Sequence, residues 1–445
     1  MQAGVFKAIA NSQLVQRRGQ VMQTQGNLIT ATLPRASLGE LCLVNPDSRG
    51  HGGQHGRLAE VVGFSQTSVQ LACLEASAGV GVGSAVTALG CRHQISVSQL
   101  RGGDVLDGFG RRLAASSSAT GDAFCLNGEG YDVIRDAPSA LDRPPIHKVL
   151  STGVRVLDCM TTLGVGQRVG FFAGPGCGKS TLLAQIARGC EADHLVLALV
   201  GERGRELREW IDREFDDRTR SRCVFVCATS DRTAIERVRA SFTATAIAEG
   251  FRDQGKSVVL MIDSLTRLAR AQREIGLAAG EPLARGGFTP SVYALLPTLI
   301  ERAGCYLHGD ITGLYTVLLE GEQISDDPIA SEAKSLLDGH IVLRGALAQR
   351  GQYPAVSVPE SLSRVMSHLV DKSQIKVTQE IRSMYASAES VDLLLKLNEY
   401  KTGSDPQIDR ALTCMPKIEA LFRQPTDELT AMADAVSRLH KVVQP

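Results

Sequence analysis

The stretch FFAGPGCGKSTLL, residues 171–183, constrains the fold of this chain more than any other segment. An apolar run leads directly into three glycines, a lysine and two hydroxyl residues, and apolar residues then return at helical spacing. A strand, a glycine-rich loop and a helix in this order are the context that separates a phosphate-binding loop from a chance glycine turn. We expect the helix to begin at LLAQIA, with Leu182. The sequence therefore predicts an α/β core that holds phosphate at the end of one strand.

The loop residues suit a nucleoside triphosphate. The glycines would let successive backbone N–H groups turn towards phosphate oxygens, where a Cβ atom would crowd the ligand. Lys179 would reach the β- and γ-phosphates, and the hydroxyl of Ser180 would ligate Mg²⁺. The strict motif has glycine at position 173, but Ala173 ends the strand, so we expect no loss of binding. The predicted loop contacts to nucleotide are Gly174, Pro175, Gly176, Cys177, Gly178, Lys179, Ser180 and Thr181.

Hydrolysis needs further groups that organise the metal and the attacking water. Asp263 ends the apolar run of SVVLMID, so we expect it at the sheet edge, holding the metal shell. Glu202 follows another apolar run, in VGERGRE, and is our candidate for polarising water, with Arg203 beside it. A charged turn after a strand is ordinarily only solvated, and a strand-end aspartate often caps a helix. Both assignments therefore depend on the phosphate loop upstream.

The chain divides into four predicted regions. Residues 1–100 contain short alternating segments separated by turn residues, which is typical of a small β-barrel. The predicted strand segments are GNLITATL, GELCLV, AEVVGF, SVQLACL, SAVTAL and HQISVSQL. Residues 101–150 include a Ser-, Gly- and Pro-rich stretch from 114 that indicates a linker. Residues 151–366 alternate short apolar runs with helical segments, which predicts a mostly parallel sheet covered on both faces. The six predicted strands are VGFFA, LVLALV, CVFVCAT, SVVLMID, GLYTVLL and HIVLR. Residues 367–445 are predicted to be helical, from the spacing of Val391, Leu394 and Leu395.

Composition excludes several classes of protein. The 48 basic and 48 acidic residues leave no net charge, so no long-range field attracts nucleic acid or anionic lipid. The eleven cysteines are scattered and include no CxxC pair, which argues against a disulfide framework or a zinc site and fits a reducing cytosol. We see no signal peptide and no apolar run long enough to span a bilayer, so we expect membrane contact only through partners.

Several motifs together resemble the ATPases of type III protein secretion systems, which are related to the flagellar export ATPase and to the catalytic subunits of rotary ATP synthases. The resemblance extends over nearly the whole chain, including GELC and AEVVGF near the N-terminus and EYKTGSDPQIDRAL in the tail. The motifs that carry it are GPGCGKSTLL, GERGREL, LMIDSLTRLARAQREIGLAAGEP, GFTPSVYALLPTLIERAG, LDGHIVL and YPAVSVPESLSRVM. It implies a central RecA-like P-loop NTPase core with a mostly parallel sheet, an N-terminal β-barrel for oligomerisation and a C-terminal helical domain.

The resemblance also assigns residues. It gives Lys179, Glu202 and Asp263 the roles described above, as phosphate lysine, catalytic glutamate and metal-shell aspartate. The adenine-stacking aromatic falls on Tyr353, and Arg364 matches an arginine finger that completes the site of a neighbouring subunit. The family usually has Ser-Arg after HIVL, whereas this chain has Arg344-Gly345. Whether Arg344 takes over the role of that family arginine stays open here.

The family implies an ATP hydrolase that uses Mg²⁺ and works as a homo-hexameric ring at the cytoplasmic face of the bacterial inner membrane. The expected work is chaperone release, substrate unfolding and energising of export. The expected partners are stator and central stalk proteins, chaperone-bound export substrates and the export gate, with no nucleic acid. The segment GEPLARGGFTP, residues 280–290, is the expected channel-facing loop.

Four alternatives remain. A flagellar export ATPase differs mainly in its partners, although the length and short tail of this chain favour the injectisome type. A rotary ATP synthase subunit would need a separate chain that bears the arginine finger. A hexameric RNA translocase would show stacking aromatics and a basic N-terminal domain, which 4% aromatic residues and zero net charge disfavour. A non-catalytic ring subunit would typically lack the glutamate at 202.

Overall fold

The computed structural model describes residues 16–45, 56–65, 67–113, 122–125, 130–321 and 323–443. They form a barrel, a central sheet between layers of helices, and a C-terminal group of helices. The predicted fold class is confirmed. Residues 114–121 and 126–129 of the predicted linker lie outside the described residues.

Six strands form the closed N-terminal barrel. They are β1 (Arg18–Gln25), β2 (Leu28–Thr32), β3 (Leu41–Asn45), β4 (Arg57–Phe64), β5 (Val69–Cys73) and β6 (Ala85–Ala88). Their order around the barrel is β1-β2-β5-β4-β3-β6, and every pair is antiparallel. The sequence predicted all of them except β1, whose segment RGQVMQTQ buries only Val21.

Short strands connect the barrel to the core. They are β7 (Gln94–Ile95), β8 (Val105–Leu106), β9 (Phe124–Cys125) and β10 (Tyr131–Asp132), followed by the pair β11 (Val149–Leu150) and β12 (Leu163–Gly164). β7 pairs antiparallel with both β9 and β10. β8 was not predicted as a strand, yet it adds to the edge of the central sheet by pairing with residues 225–226.

The central sheet contains all six strands that the sequence predicted there. Its long strands are β13 (Arg168–Ala173), β14 (His194–Val200), β15 (Cys223–Ala228), β16 (Ser257–Asp263), β18 (Asp310–Leu318) and β19 (Gly339–Leu343), with the short β17 (Gly304–Cys305) and β20 (Leu362–Ser363). The order is β20-β19-β13-β18-β16-β14-β15-β8, and β17 pairs with β18. All pairings are parallel except those of β20 and β17.

Helices cover both faces of this sheet, so its strands read as continuous apolar runs. Successive side chains of a strand point to opposite faces: Leu195 and Leu197 of β14 join one hydrophobic cluster, and Val196 and Ala198 join another. The helices around the sheet are α1 (Arg155–Met160), α2 (Lys179–Gly189), α3 (Gly204–Glu214), α4 (Asp217–Arg220), α5 (Ala234–Asp253), α6 (Leu265–Ala278), α7 (Pro290–Ile300), α8 (Pro328–Leu336) and α9 (Gly345–Gln349).

The predicted helical tail is also confirmed. It consists of α10 (Met366–Leu369), α11 (Lys372–Lys396), α12 (Pro406–Phe422) and α13 (Met432–Val443). Of the three residues whose spacing predicted α11, Val391 is buried, but Leu394 and Leu395 are 39% and 38% exposed because the last turn extends beyond the packed bundle. Among the described helices, none is long and apolar enough to cross a membrane.

The strand order sets the position of the candidate site. β13, β16 and β14 are parallel and lie close together, separated only by β18. Their carboxyl ends therefore share one edge of the sheet, which is where ligands bind in folds of this kind. The residues that follow these strands are the phosphate loop, Asp263 at the end of β16, and Glu202.

Candidate active site

The phosphate loop joins β13 to α2. Gly176 and Gly178 have φ values of 74° and 78°, a backbone conformation that favours glycine. Gly178 is the N-cap of α2, and its carbonyl accepts the N–H of Leu182 at 2.9 Å. The helix thus begins at Lys179, three residues before the predicted start, because Lys179 and the two hydroxyl residues themselves form its first turn. The free N–H groups of that turn suit an anion.

Lys179 and Asp263 meet at this edge. The Lys179 Nζ contacts Asp263 Oδ1 in a nearly buried ion pair. The same Oδ1 accepts a hydrogen bond from Thr316 Oγ1 of β18 at 2.8 Å. Asp263 is therefore fixed from two sides, by a cation of the loop and by the neighbouring strand. The structure brings together two residues that lie 84 positions apart in the chain.

Glu202 lies on the other side of Asp263, after β14. Burial raises the pKa of its carboxyl, and the nearby negative charge of Asp263 raises it further, whereas Arg267 and Lys179 oppose the shift. Arg267 Nη1 lies 3.1 Å from Glu202 Oε2, and Arg267 also donates to the carbonyl of Gly201. Glu202 is thus a half-buried carboxyl, held by a cation, whose proton affinity exceeds that of an ordinary glutamate.

Arg267 is a site residue that the sequence analysis missed. It lies in the first turn of α6, where the side chain of Ser264 caps the helix by accepting its N–H. Four positions separate it from Asp263, and this spacing was the available sequence signal. An arginine within a helix reads as a surface charge unless the helix is known to start at the active edge.

One cavity gathers the predicted chemistry. It has a volume of about 260 Å³, and its lining includes Ser180, Glu202 and Asp263. The predicted magnesium hydroxyl, the metal-shell carboxylate and the candidate base therefore line a common space. Thr181 follows Ser180 in the first turn of α2 and is partly buried.

Arg203 does not enter this cavity. Its backbone forms the N-cap of α3, and its side chain is 78% exposed and pairs with Glu206 at 2.8 Å. Within one chain it is a solvent-facing charge, so its catalytic role stays a prediction.

Tyr353 lies beside the phosphate loop. A Cβ placed on Gly178 would be 3.5 Å from Cδ1 and Cε1 of the tyrosine ring. Tyr353 is 43% exposed. It lies beside Gly178 in the structure although it follows it by 175 positions in the sequence. A flat aromatic face next to the start of α2 is suited to stacking on a nucleobase.

Arg364 lies at the opposite edge of the sheet. Its N–H donates to the carbonyl of Asp338, just before β19 begins. β13 and β19 run parallel, with Ala173 opposite Leu343 at the phosphate-loop end. The length of β19, about 15 Å, therefore separates Arg364 from the loop of its own chain. Arg364 is exposed, and it is absent from the lining of the cavity that Ser180, Glu202 and Asp263 share in its own chain.

Arg344 sits at a second opening next to the phosphate loop. It pairs with Glu360 and lines a cavity of about 850 Å³ together with Gly174, Pro175 and Cys177. Gly345 lies against Cys177, since a Cβ at 345 would be 4.0 Å from its Sγ. Arg344 therefore faces the loop region, which keeps it a candidate for the role of the family arginine.

The predicted channel loop, 280–290, is held by local contacts. Ser291 N donates to Glu281 Oε2 at 3.1 Å, and Tyr293 OH donates to the carbonyl of Arg285 at 2.6 Å. A Cβ on Gly286 would meet Pro328 at 2.1 Å, so the loop packs closely against the start of α8. Its role in a channel stays a prediction.

Three family models match this chain. Residues 153–363 match the nucleotide-binding domain of the ATP synthase alpha/beta family, and residues 21–90 match the β-barrel domain of the same family. Residues 370–441 match the T3SS EscN ATPase C-terminal domain.

Curated relatives align along almost the full chain. A type 3 secretion system ATPase of Pseudomonas syringae pv. tomato is 47% identical over 95% of this chain and 93% of its own length. A flagellum-specific ATP synthase of Bacillus subtilis is 42% identical over 95% of this chain and 94% of its own length.

Solved structures agree. The assembled ATPase EscN of the enteropathogenic E. coli type III secretion system is 40% identical, with a TM-score of 0.87 over 96% of this chain and 100% of that chain. EscN in complex with its central stalk EscO matches with a TM-score of 0.86 and the same identity and coverage. The chain belongs to the ATP synthase alpha/beta family and, within it, to the type 3 secretion system ATPases.

Proposed function

We propose that this chain hydrolyses ATP at the carboxyl edge of its central sheet and uses the energy for type III protein secretion. One observation carries the proposal: Lys179, Asp263 and Glu202 gather at that edge, whereas Arg364 of the same chain lies at the opposite edge. Most groups of the proposed active site therefore lie at one edge of the sheet, and Arg364, the arginine proposed to complete the site, lies at the other.

The residues divide the catalytic work. The glycine loop and the first turn of α2 bind the phosphates, and Lys179 neutralises their negative charge. Glu202 accepts a proton from, or orients, the attacking water; its raised pKa makes it a better proton acceptor than an ordinary carboxylate. Arg267 holds Glu202 in position through their 3.1 Å ion pair.

The residues present fit a magnesium ion. Mg²⁺ prefers oxygen donors and keeps part of its water shell. The Ser180 hydroxyl and the Asp263 carboxylate line one cavity with Glu202, so the donor set consists of oxygens only. Ser180 would hold the ion directly and Asp263 would hold its water shell. When bound, the ion supplies positive charge at the β- and γ-phosphates.

A homo-hexameric ring completes the site. Each chain offers a phosphate loop at one edge and Arg364 at the other, so a closed ring of identical subunits satisfies every site at once. The relative EscN was solved as an assembled ATPase. We assign ring assembly to the barrel region 1–100, catalysis to 151–366 and partner contacts to 367–445, with 101–150 as the connection and loop 280–290 facing the channel.

The C-terminal helices provide a surface for a stalk. Four leucines at the end of α11 are exposed, and we call them the leucine patch: Leu393, Leu394, Leu395 and Leu397. EscN was solved in complex with its central stalk EscO. We propose that a stalk protein contacts this end of the molecule, with stator, export gate and chaperone-bound substrates as further partners, at the cytoplasmic face of the inner membrane.

The dependence of activity on protein concentration tests the ring. An arginine finger contributes about 10³ to 10⁵ in rate, so dilution that separates subunits should abolish turnover. We expect specific activity to rise with protein concentration in parallel with the ring fraction measured by sedimentation. Specific activity that stays constant while sedimentation reports monomers would contradict the proposal.

A flagellar export ATPase is the second candidate, favoured by the 42% identity to the flagellum-specific ATP synthase of Bacillus subtilis. Partner capture separates the two. Co-purification with flagellar rather than injectisome export components would favour it.

A further inference from the structure

The main chain of Tyr353 is tied to the C-terminal helices. The N–H of Gln424 donates to the carbonyl of Tyr353 at 2.8 Å. The neighbouring Gln352 donates through Nε2 to the carbonyl of Glu419 on α12, at 3.1 Å. Gln352 and Tyr353, which carries the ring beside the phosphate loop, are therefore fixed to the last turn of α12 and to Gln424, two residues beyond its end.

The side chain of Gln424 fixes that end in turn. It is 1% exposed and makes three hydrogen bonds: Oε1 accepts from the N–H of Arg155, and Nε2 donates to the carbonyls of Gly153 and Glu428. Each is 2.8 Å long. A buried side-chain amide whose oxygen and nitrogen both have hydrogen-bond partners orders the backbone around it. The segment 423–430 between α12 and α13 is thus clamped to the start of α1.

The helix of the phosphate loop holds the same segment from its other side. Gln185 of α2 donates through Nε2 to the carbonyls of Pro425 and Glu428, both at 3.1 Å. Arg188 of α2 donates to the carbonyl of Thr426 at 2.8 Å. Segment 423–430 therefore contacts α2 directly and reaches Tyr353 through Gln424.

We propose that Gln424 is a positioning residue for nucleotide binding, which holds Tyr353 beside the phosphate loop and couples the affinity for the base to the placement of the C-terminal helices. The inference rests on the proposed role of Tyr353 as the surface on which adenine stacks. Coupling of this kind is reciprocal, so a partner that moves α12 changes nucleotide affinity, and bound nucleotide changes the affinity for that partner.

A matched glutamine provides the control. Gln374 of α11 is 4% exposed and also makes three side-chain hydrogen bonds to the α1 region, to the carbonyls of Asp158 and Cys159 and to Thr162 Oγ1. It ties a C-terminal helix to α1 as Gln424 does, but it has no bond to Tyr353 or to segment 423–430. Gln374→Ala therefore reports the general cost of loosening the bundle.

The test compares two probes in calorimetric binding to the full chain: ADP, which carries a base, and inorganic tripolyphosphate, which does not. Tyr353→Ala should weaken ADP binding roughly tenfold, since stacking on an aromatic ring contributes at that level. Gln424→Ala should weaken it roughly fivefold or more, the range of ordinary coupling between sites. Neither should alter tripolyphosphate binding, and Gln374→Ala should alter neither probe. In turnover, Gln424→Ala should raise KM for ATP and leave kcat within about twofold.

A double variant separates direct from indirect action. If Gln424 acts through Tyr353, Tyr353→Ala/Gln424→Ala binds ADP no more weakly than Tyr353→Ala alone. Should Gln424→Ala not fold, Gln185→Ala, which removes two bonds to the same segment, takes its place with the same selective weakening of ADP binding.

The outcomes are distinguishable. Unchanged ADP binding in Tyr353→Ala removes the stacking role and this inference with it. Weaker binding in Tyr353→Ala but not in Gln424→Ala or Gln185→Ala leaves the stacking role standing and overturns the positioning role. The positioning role is also overturned if Gln424→Ala weakens the binding of ADP and of tripolyphosphate equally. The same holds if Gln374→Ala weakens ADP binding as much as Gln424→Ala does.

Discussion

In the proposed mechanism, Glu202 acts on the attacking water. Its carboxyl is half-buried near two anions, Asp263 and Glu206, and two cations, and burial together with the anions outweighs the cations, so its pKa is raised. A base whose pKa is raised accepts a proton from water more readily than an ordinary carboxylate. The environment therefore favours proton transfer from water to Glu202.

We predict that Glu202→Gln binds ATP with nearly unchanged affinity but hydrolyses it roughly 10²- to 10⁴-fold more slowly, because the amide cannot accept the proton. ADP and ATP binding by calorimetry and single-turnover hydrolysis check this. Near-normal turnover would remove Glu202 from its role.

The pH dependence of activity tests the role of Glu202 in a second way, through two variants of its partner Arg267. The active form is deprotonated, so activity falls as pH falls through the raised pKa, at a higher pH than for an ordinary glutamate. Arg267 lowers that pKa, and Arg267→Ala should therefore move the acid limb of kcat/KM to still higher pH, whereas Arg267→Lys should shift it less. An acid limb that stays in place in Arg267→Ala would show that the 3.1 Å pair with Glu202 does not set the titration.

At the scale of elements, a buried ion pair ties the connecting segment to the core. Arg302 and Glu249 are both fully buried, with Nη2 and Oε2 2.7 Å apart and a second bond from Nε to Oε1 at 2.9 Å. Arg302 Nη1 also donates to the carbonyl of Val133, at 2.7 Å. The pair thus joins α5, the end of α7 and the segment after β10.

Arg302→Met should destabilise the fold by about 3 kcal/mol, because the buried Glu249 carboxylate loses both bonds to Arg302 and keeps only Arg135, whose Nε lies 3.6 Å from its Oε2. The pair of the partly buried Arg237, on the same α5, with the exposed Glu274 provides the control, and Arg237→Met should cost no more than about 1 kcal/mol. Thermal unfolding followed by circular dichroism checks both. An Arg302→Met variant as stable as Arg237→Met would contradict this account of the core.

The elements show what the sequence could and could not predict. The buried strands of the central sheet were predictable because both faces are covered and their apolar runs are continuous. β1 was missed because only Val21 of its eight residues is buried, and β8 because a two-residue strand is created by its pairing with β15 rather than by a pattern. The loop glycines, Lys179 and Asp263 were readable from spacing, whereas the contact of Arg267 with Glu202 depends on tertiary placement.

At the scale of the whole molecule, we propose that the two edges of the sheet carry complementary halves of one site. The phosphate loop follows β13 at the carboxyl edge, and Arg364 lies beside Asp338 at the amino edge. The proposed mechanism therefore depends on a neighbouring copy that brings its Arg364 to the phosphate loop.

Mixing two inactive variants tests this claim most directly. Lys179→Ala lacks the phosphate lysine and Arg364→Ala lacks the finger, so each alone should be almost inactive. In rings formed from an equal mixture, about a quarter of the interfaces should join an intact loop to an intact finger, since each position is filled at random. We predict that activity returns towards that fraction when the two are assembled together. No recovery in rings that contain both variants, or full activity of Arg364→Ala alone, would contradict the shared site.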